Sequence, residues 1–439
     1  MTARHPKGLP ILFFTEMWER FSFYGMRAIL VLYLTKETIG DNPGFGWTNA
    51  EALALYGWYT ALVYIMSIPG GIIADRILGQ KKTVFLGGLL IAAGQFSLAM
   101  DSLIAFYSGL ILLVSGVGCL KPNISTMVGG LYKEGDPRRD SGFIIFYIGI
   151  NIGASTAPLL VGYIGEVYSW HMGFALAGAG MVLGQIVYIW GQKHLKEVGN
   201  FVPVKKVSGT NTNAPLTKIE KDRVIVLLIS FVIVVIFWAA YEQAGGLMNL
   251  YTYEKIDRSV LGWEIPASIF QSVPAIFVVI FGTIVAAFWT KRLKKGKESS
   301  SLFKMAIGTI VTGTGFLMMS GAALEIDLLD REKALLIWLI LSYLLQVLGE
   351  LSISPVALSF ITKLAPVKYA SIMMGLYFAA TGLGNKLAGL VGEFAQKAGE
   401  LEVFTGIFLF CLAFGGLLLV FFRKLKVLTH GAEDIKEPA

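Results

Sequence analysis

Charge is the scarcest commodity in this chain. Asp, Glu, Lys and Arg together make up 15% of its 439 residues, where a soluble domain carries roughly 25%. A surface facing water on all sides cannot be covered at that density. This excludes a soluble enzyme, a disordered chain and a nucleic-acid binder, the last despite a net charge of +7. Cysteine is almost missing: Cys119 and Cys411 both lie in apolar runs. They supply neither a disulfide framework nor a zinc spacing, and read as small packing residues. The four histidines, His5, His171, His194 and His430, avoid the middle of every long apolar run, so any proton relay through those runs must use carboxylates. There is no serine–histidine pair, no metal-ligand cluster and no phosphate-binding glycine loop. No catalytic constellation, metal or cofactor is therefore expected. A cleavable leader is also not expected. The basic start up to Pro10 is followed by an apolar stretch containing Glu16, Glu19, Arg20 and Arg27, without a cleavage pattern.

What is present in quantity is apolar sequence, 55% of the chain. It divides into segments near 11–39, 50–74, 83–100, 103–130, 141–168, 171–192, 224–250, 265–290, 302–324, 334–363, 367–396 and 402–422. Several reach the roughly 20 residues that span a bilayer as a helix. An all-α integral membrane protein with twelve transmembrane helices is expected. A polar linker, 193–223, separates a six-helix bundle at 1–192 from a second at 224–425, and a tail follows at 426–439. If both termini are cytoplasmic, the cytoplasmic loops hold 27 of the 37 basic residues and the opposite side six. That bias sets the orientation and assigns the positive charge to an anionic lipid surface rather than to nucleic acid. Two six-helix halves joined by a cytoplasmic loop form the layout of a major facilitator fold, with the site near the midplane. Gly70-Gly71-Ile72-Ile73-Ala74-Asp75-Arg76, followed by Lys81-Lys82, closes the second segment. Its glycines suit close helix approach, and its charges are placed to pair across neighbouring helix ends.

Charges inside the apolar segments are expensive, roughly 2.5–3.5 kcal/mol each on insertion scales, and therefore mark function. The first segment holds Glu16, Glu19, Arg20 and Arg27; the fourth Lys121, the seventh Glu242, the tenth Glu350 and the eleventh Lys386. Glu16, Arg20, Tyr24 and Arg27 recur every three or four residues and share one helix face. That stripe is about 16 Å long, roughly half the hydrocarbon thickness. Pro122 follows Lys121, and Pro355 lies close after Glu350, so both helices are expected to kink beside their charge. Lys121 and Glu350 occupy pseudo-equivalent spans of the two halves, as do Arg27 and Glu242. Each is a candidate pair, one for each mouth of an alternating-access carrier. Asn151 is a buried amide needing partners, while Tyr147 reads as either packing or ligand contact. Lys386 has no evident partner. Snorkelling is one reading of it.

Five ordered motifs then carry a resemblance. These are ExxERFxxYGMR from Glu16 to Arg27, Lys121-Pro122-Asn123, FYxGINxG from Phe146 to Gly153, FWxxYEQ from Phe237 to Gln243, and ELSISPVALSFITKLAP from Glu350 to Pro366 with Met373-Met374-Gly375. The chain resembles the proton-dependent oligopeptide transporters. The resemblance implies uptake of di- and tripeptides coupled to protons, by a functional monomer in the cell membrane. It places Glu16, Glu19, Arg20 and Lys121 in proton coupling. Tyr24, Arg27, Tyr64, Tyr147, Asn151, Glu350 and Ser354 would line the peptide site. Glu350 would face the peptide amino group, and Arg27 with Lys121 the carboxylate. Glu242 joins the proton-coupling set as the carboxylate whose partner, Arg27, comes and goes with the outer gate. Departures from the family pattern are Phe23 for a tyrosine, Val273 for an asparagine, Tyr377 for a frequent tryptophan, and a linker too short for two extra helices. The first three bear on substrate range. A transporter of another small solute and a non-transporting peptide sensor are the competing expectations.

Overall fold

The computed structural model describes residues 5–133, 136, 138–201, 216–366 and 369–432. The linker is expected to hold no helix between 195 and 220, and more than half of that stretch, 202–215, lies outside the described residues. Helix begins at Lys218, so the last three residues of that stretch are helical, against the expectation.

The chain is almost entirely helical and divides into two compact units. The first comprises Met1–Lys206 with Met248–Tyr253 and Arg258–Ile276, the second Val207–Leu247 with Glu254–Asp257 and Phe277–Ala439. The first unit contains α1 (Gly8–Thr35), α2 (Asn49–Ile65), α3 (Ser67–Ile73), α4 (Gln80–Leu98), α5 (Leu103–Gly130), α6 (Arg139–Ala157), α7 (Tyr163–Val167) and α8 (Trp170–Gly191). α9 (Lys218–Tyr241) opens the second unit and is followed by the short α10 (Leu247–Lys255). The second unit continues with α11 (Val273–Lys294), α12 (Ser301–Leu329), α13 (Leu336–Leu364), α14 (Ala370–Ala398) and α15 (Glu400–Val427). Among the described residues, nine helical stretches are long and apolar enough to cross a membrane. α1, α4 and α14, of 28, 19 and 29 residues, have the length without the apolarity. In α1 the reason is its four internal charges.

Helix starts are set by local chemistry. Glu51 accepts hydrogen bonds from the Thr48 N–H at 2.9 Å and the Thr48 hydroxyl at 2.8 Å, and its own N–H donates back to Thr48 Oγ1 at 3.3 Å. Thr217 and Glu220 repeat this capping box at α9, satisfying N–H groups that a helix start leaves unpaired. α5 and α13 run as helices through Pro122 and Pro355, and Pro158 opens a five-residue π-helical turn, Pro158–Gly162.

In the first unit α4 lies along α5, and α1 packs between α6 and α8. The α4–α5 seam depends on glycine. A Cβ at Gly116 would sit 2.7 Å from the Gly87 carbonyl oxygen and 2.8 Å from the Ile91 nitrogen. Gly116→Leu should therefore destabilise the first unit by about 1–3 kcal/mol through overpacking, read as a lower thermal midpoint of purified protein. An unchanged midpoint would show that the seam yields. Gly70 likewise abuts the backbone of Gly118 on α5, and Asn123 bridges the same helices, donating to Cys119 O at 2.7 Å and Gly70 O at 3.3 Å. The charges after Gly71 do less than expected. Asp75 and Arg76 are exposed and form no hydrogen bond or ion pair among the described residues, while Lys81 reaches Asn200 at 3.1 Å.

Residues 248–253 and 258–276 belong with the first unit for identifiable reasons. Asn249 donates to Ala28 O at 2.9 Å, and Lys36 to Tyr253 Oη at 3.0 Å. Glu166 of α7 accepts from the backbone N–H groups of Ala267 and Ser268, both at 2.9 Å, and lies 3.7 Å from Arg258. The core of the second unit is built on Phe231, Val234, Phe237, Met305, Ile353, Phe360 and Tyr377, drawn from α9, α12, α13 and α14.

Candidate functional site

The helical period brings the charges of α1 to one place, but the partners differ from those the spacing favours. Glu16, Glu19 and Arg20 are 2%, 0% and 3% exposed. Arg20 engages its neighbour Glu19 with both arms, Nε on one carboxylate oxygen and Nη2 on the other at 2.7 Å. Glu16, one turn back, is the second partner at 3.3 Å. A bidentate guanidinium–carboxylate pair fixes both groups. It leaves Glu16 Oε2 buried without a hydrogen-bond partner among the described residues. The Arg20 guanidinium also lies 5.1 Å from the Phe23 ring centre and 6.0 Å from that of Tyr24. The departure at Phe23 thus loses a hydroxyl but keeps a ring face for the cation. That ring stacks on Tyr59 at 6.4 Å.

Further along the same face, Arg27 is buried and donates from Nε to Tyr56 Oη at 2.7 Å. The rings of Tyr24 and Tyr56 lie 5.6 and 6.0 Å from its guanidinium. On α5, Lys121 Nζ stands 4.0 Å from the centre of the Tyr64 ring. Tyr56, Thr60 and Tyr64 recur every four residues along α2, so one helix supplies aromatic faces to both cations. Sequence reasoning found Tyr64 and missed Tyr56 and Tyr59; the four-residue spacing was the available signal. On α6, Asn151 is buried and donates to the Tyr147 carbonyl at 2.9 Å. The Tyr147 side chain is 47% exposed.

The second unit holds the remaining predicted residues. Glu242 is buried in a 3₁₀ turn, Glu242–Ala244, that closes α9. The preceding residue, Tyr241, donates its hydroxyl to Glu350 Oε2 on α13; the sequence reading did not single it out. Ser354, one turn beyond Glu350, has a buried Oγ with no hydrogen-bond partner among the described residues. Lys386 does have a partner: Glu393, two turns along α14, at 3.6 Å. Seven residues bring two side chains back to nearly the same face, so the lysine is internally compensated. The first unit sets Arg20, Arg27 and Lys121 against Glu16 and Glu19; the second holds Glu242 and Glu350 besides the Lys386–Glu393 pair. Among the described residues no group of three or more His, Cys, Asp or Glu is placed to hold a metal ion.

Comparison with known proteins identifies similar chains. Residues 81–219 and 205–407 match the profile of the POT family. The chain is 39% identical to an uncharacterized transporter, YclF, of Bacillus subtilis (strain 168), covering 97% of this chain and 96% of that one. It is 35% identical to a di-/tripeptide transporter of Lactococcus lactis subsp. lactis (strain IL1403), over 92% of both chains. Among solved structures, a mutant of the peptide transporter POT in complex with alafosfalin superposes with a TM-score of 0.90 at 35% identity, covering 98% and 96% of the two chains. A POT family transporter in complex with 5-aminolevulinic acid superposes with a TM-score of 0.89 at 29% identity, covering 97% and 98%.

Proposed function

This chain belongs to the POT family, and we propose that it is a proton-coupled symporter importing di- and tripeptides by alternating access. The observation that carries the reading is the fully buried Glu16–Glu19–Arg20 cluster on α1, with Arg27 and Lys121 held on tyrosine rings nearby in the same unit. Burying so many charges in an apolar helix is costly unless their protonation and pairing are used. In this reading Glu16, Glu19, Arg20, Lys121 and Glu242 couple protons. Tyr24, Arg27, Tyr64, Lys121, Tyr147, Asn151, Glu350 and Ser354 meet the peptide. Arg27 with Glu242, and Lys121 with Glu350, close the two mouths alternately. Relatives named peptide or di-/tripeptide transporters support the substrate class.

The proposed frame has twelve spans, nine of them supported by length and apolarity and three by length. It has two six-helix bundles, both termini in the cytoplasm, and works as a monomer in the cell membrane. Reporter fusions at Ala439 and within 209–214 should both report cytoplasm. An external signal from either would refute the orientation.

The decisive experiment is uptake by purified protein in liposomes under an inward proton gradient, with competing ligands. Di- and tripeptides should compete, while free amino acids and tetrapeptides should not. A site with a carboxylate at one end and cations at the other reads two opposite termini at a set separation, and a misfit leaves a buried charge unpaired. A second reading, transport of another small solute, draws support from the relative bound to 5-aminolevulinic acid and from the altered positions Phe23, Val273 and Tyr377. Equal inhibition by an amino acid and its dipeptide would favour it.

A further inference from the structure

Of the carboxylates inside the apolar segments, Glu350 is held in a way that the order of residues does not suggest. Tyr241, the last residue of α9, donates its hydroxyl to Glu350 Oε2 on α13. The two residues lie 109 positions apart, so only folding brings them together. Both are half-buried, which leaves the pair open to a ligand.

Each end of this bond is fixed from outside it. The Tyr241 ring centre lies 5.3 Å from that of Phe237 and 5.7 Å from that of Trp238, one turn back on the same helix. The backbone around it is tied to α14. Gln243, two residues on, donates to Ala388 O at 3.0 Å, and a Cβ at Gly384 would stand 2.7 Å from the Val235 carbonyl oxygen. On the other side, α13 is pressed against α12 at the residue before the carboxylate. A Cβ at Gly349 would stand 2.6 Å from the Gly308 carbonyl oxygen. With both backbones held, a rigid phenol fixes where the carboxylate oxygen sits.

The chemistry of the donor matters as much as its place. A tyrosine hydroxyl is a neutral donor. It orients a carboxylate without cancelling its charge, whereas lysine or arginine in the same position would do both. Glu350 therefore brings an oriented negative charge to a cationic ligand group. Ser354, one turn along the same face, adds a buried Oγ with no hydrogen-bond partner among the described residues.

We propose that Tyr241 is a positioning residue for Glu350 and sets the preference for a substrate with a free amino group. The proposal rests on the peptide reading, in which Glu350 meets the peptide amino end. Tyr241 acts through the carboxylate, and a hydrogen bond to a charged group is strong enough to change binding about tenfold.

The test measures equilibrium binding of two probes to purified full-length protein. One is dialanine; the other is N-propionyl-alanine, the same molecule without its amino group. Wild type should bind dialanine more tightly. Tyr241→Phe keeps the ring but removes the hydroxyl, and should lower that preference about tenfold, through dialanine alone. A merely structural role would weaken both probes alike, and that result would overturn the proposal. An unchanged preference would overturn it too, while leaving the peptide reading intact. If wild type binds neither probe, or both equally, the assignment of Glu350 to the amino end fails and the proposal with it. A second comparison does not depend on the folding of the single variant. Glu350→Gln and Tyr241→Phe/Glu350→Gln should bind dialanine equally, because the hydroxyl acts only through the charge that both lack. Further weakening in the double variant would overturn the proposal.

Discussion

Glu242→Gln is expected to bind peptide and exchange it across a membrane, yet to be unable to accumulate it on a proton gradient. A coupling group must take a proton on one side and release it on the other. A carboxylate does this when its surroundings alternate, because desolvation favours the protonated form and an approaching cation the ionised one. Glu242 is a buried carboxylate at the end of α9. In the proposed cycle its protonation releases Arg27 for the peptide carboxylate, and its deprotonation recaptures Arg27 and resets the carrier. Glutamine holds the shape but cannot ionise, so the reset by charge is lost while binding survives. The measurement is a pair of liposome assays, counterflow exchange and gradient-driven uptake, on one preparation. If Glu242→Gln concentrates peptide with the pH dependence of wild type, the carrier lies elsewhere. Glu16, with its unpaired buried oxygen, and Glu19 would inherit the role.

Lys121→Ala and Glu350→Ala should each abolish driven uptake. Removing one member of a buried pair leaves the other uncompensated, at about 3–5 kcal/mol, enough to shift the carrier almost wholly out of the state in which the pair forms. Within their own units the two residues are held differently. Lys121 lies against the Tyr64 ring, and Glu350 accepts the Tyr241 hydroxyl. Glu350→Gln preserves a hydrogen-bond acceptor for Tyr241 while removing the charge. It should therefore fold like wild type and fail in transport, separating charge from packing. Full driven uptake by Lys121→Ala or Glu350→Ala would refute both the proposed pairing and the assignment of peptide ends.

Much of this was legible in the sequence because a membrane makes composition speak. A charge among apolar residues is too costly to be incidental, so Glu16, Glu19, Arg20, Arg27, Lys121, Glu242 and Glu350 stand out without any structure. Helical periodicity put Arg20 and Arg27 on one face, and the two capping boxes, Thr48 with Glu51 and Thr217 with Glu220, sit openly in the order of residues. The tertiary structure decided the partners. Arg20 prefers Glu19 to the better-spaced Glu16, because a bidentate fork depends on where two side chains can bend inside a closed space rather than on spacing alone. Tyr56 and Tyr241 passed unnoticed, since an aromatic residue in an apolar run looks the same whether it packs or donates a hydrogen bond. The Glu393 partner of Lys386 was within reach of periodicity, two turns away. The Glu166 contact with Arg258 was not, because residues so far apart in the chain meet only through folding. Sequence by itself determined which groups must be compensated, since that cost is local. Which group compensates which was left to packing, where distance and burial choose among partners that the sequence presents as equivalent.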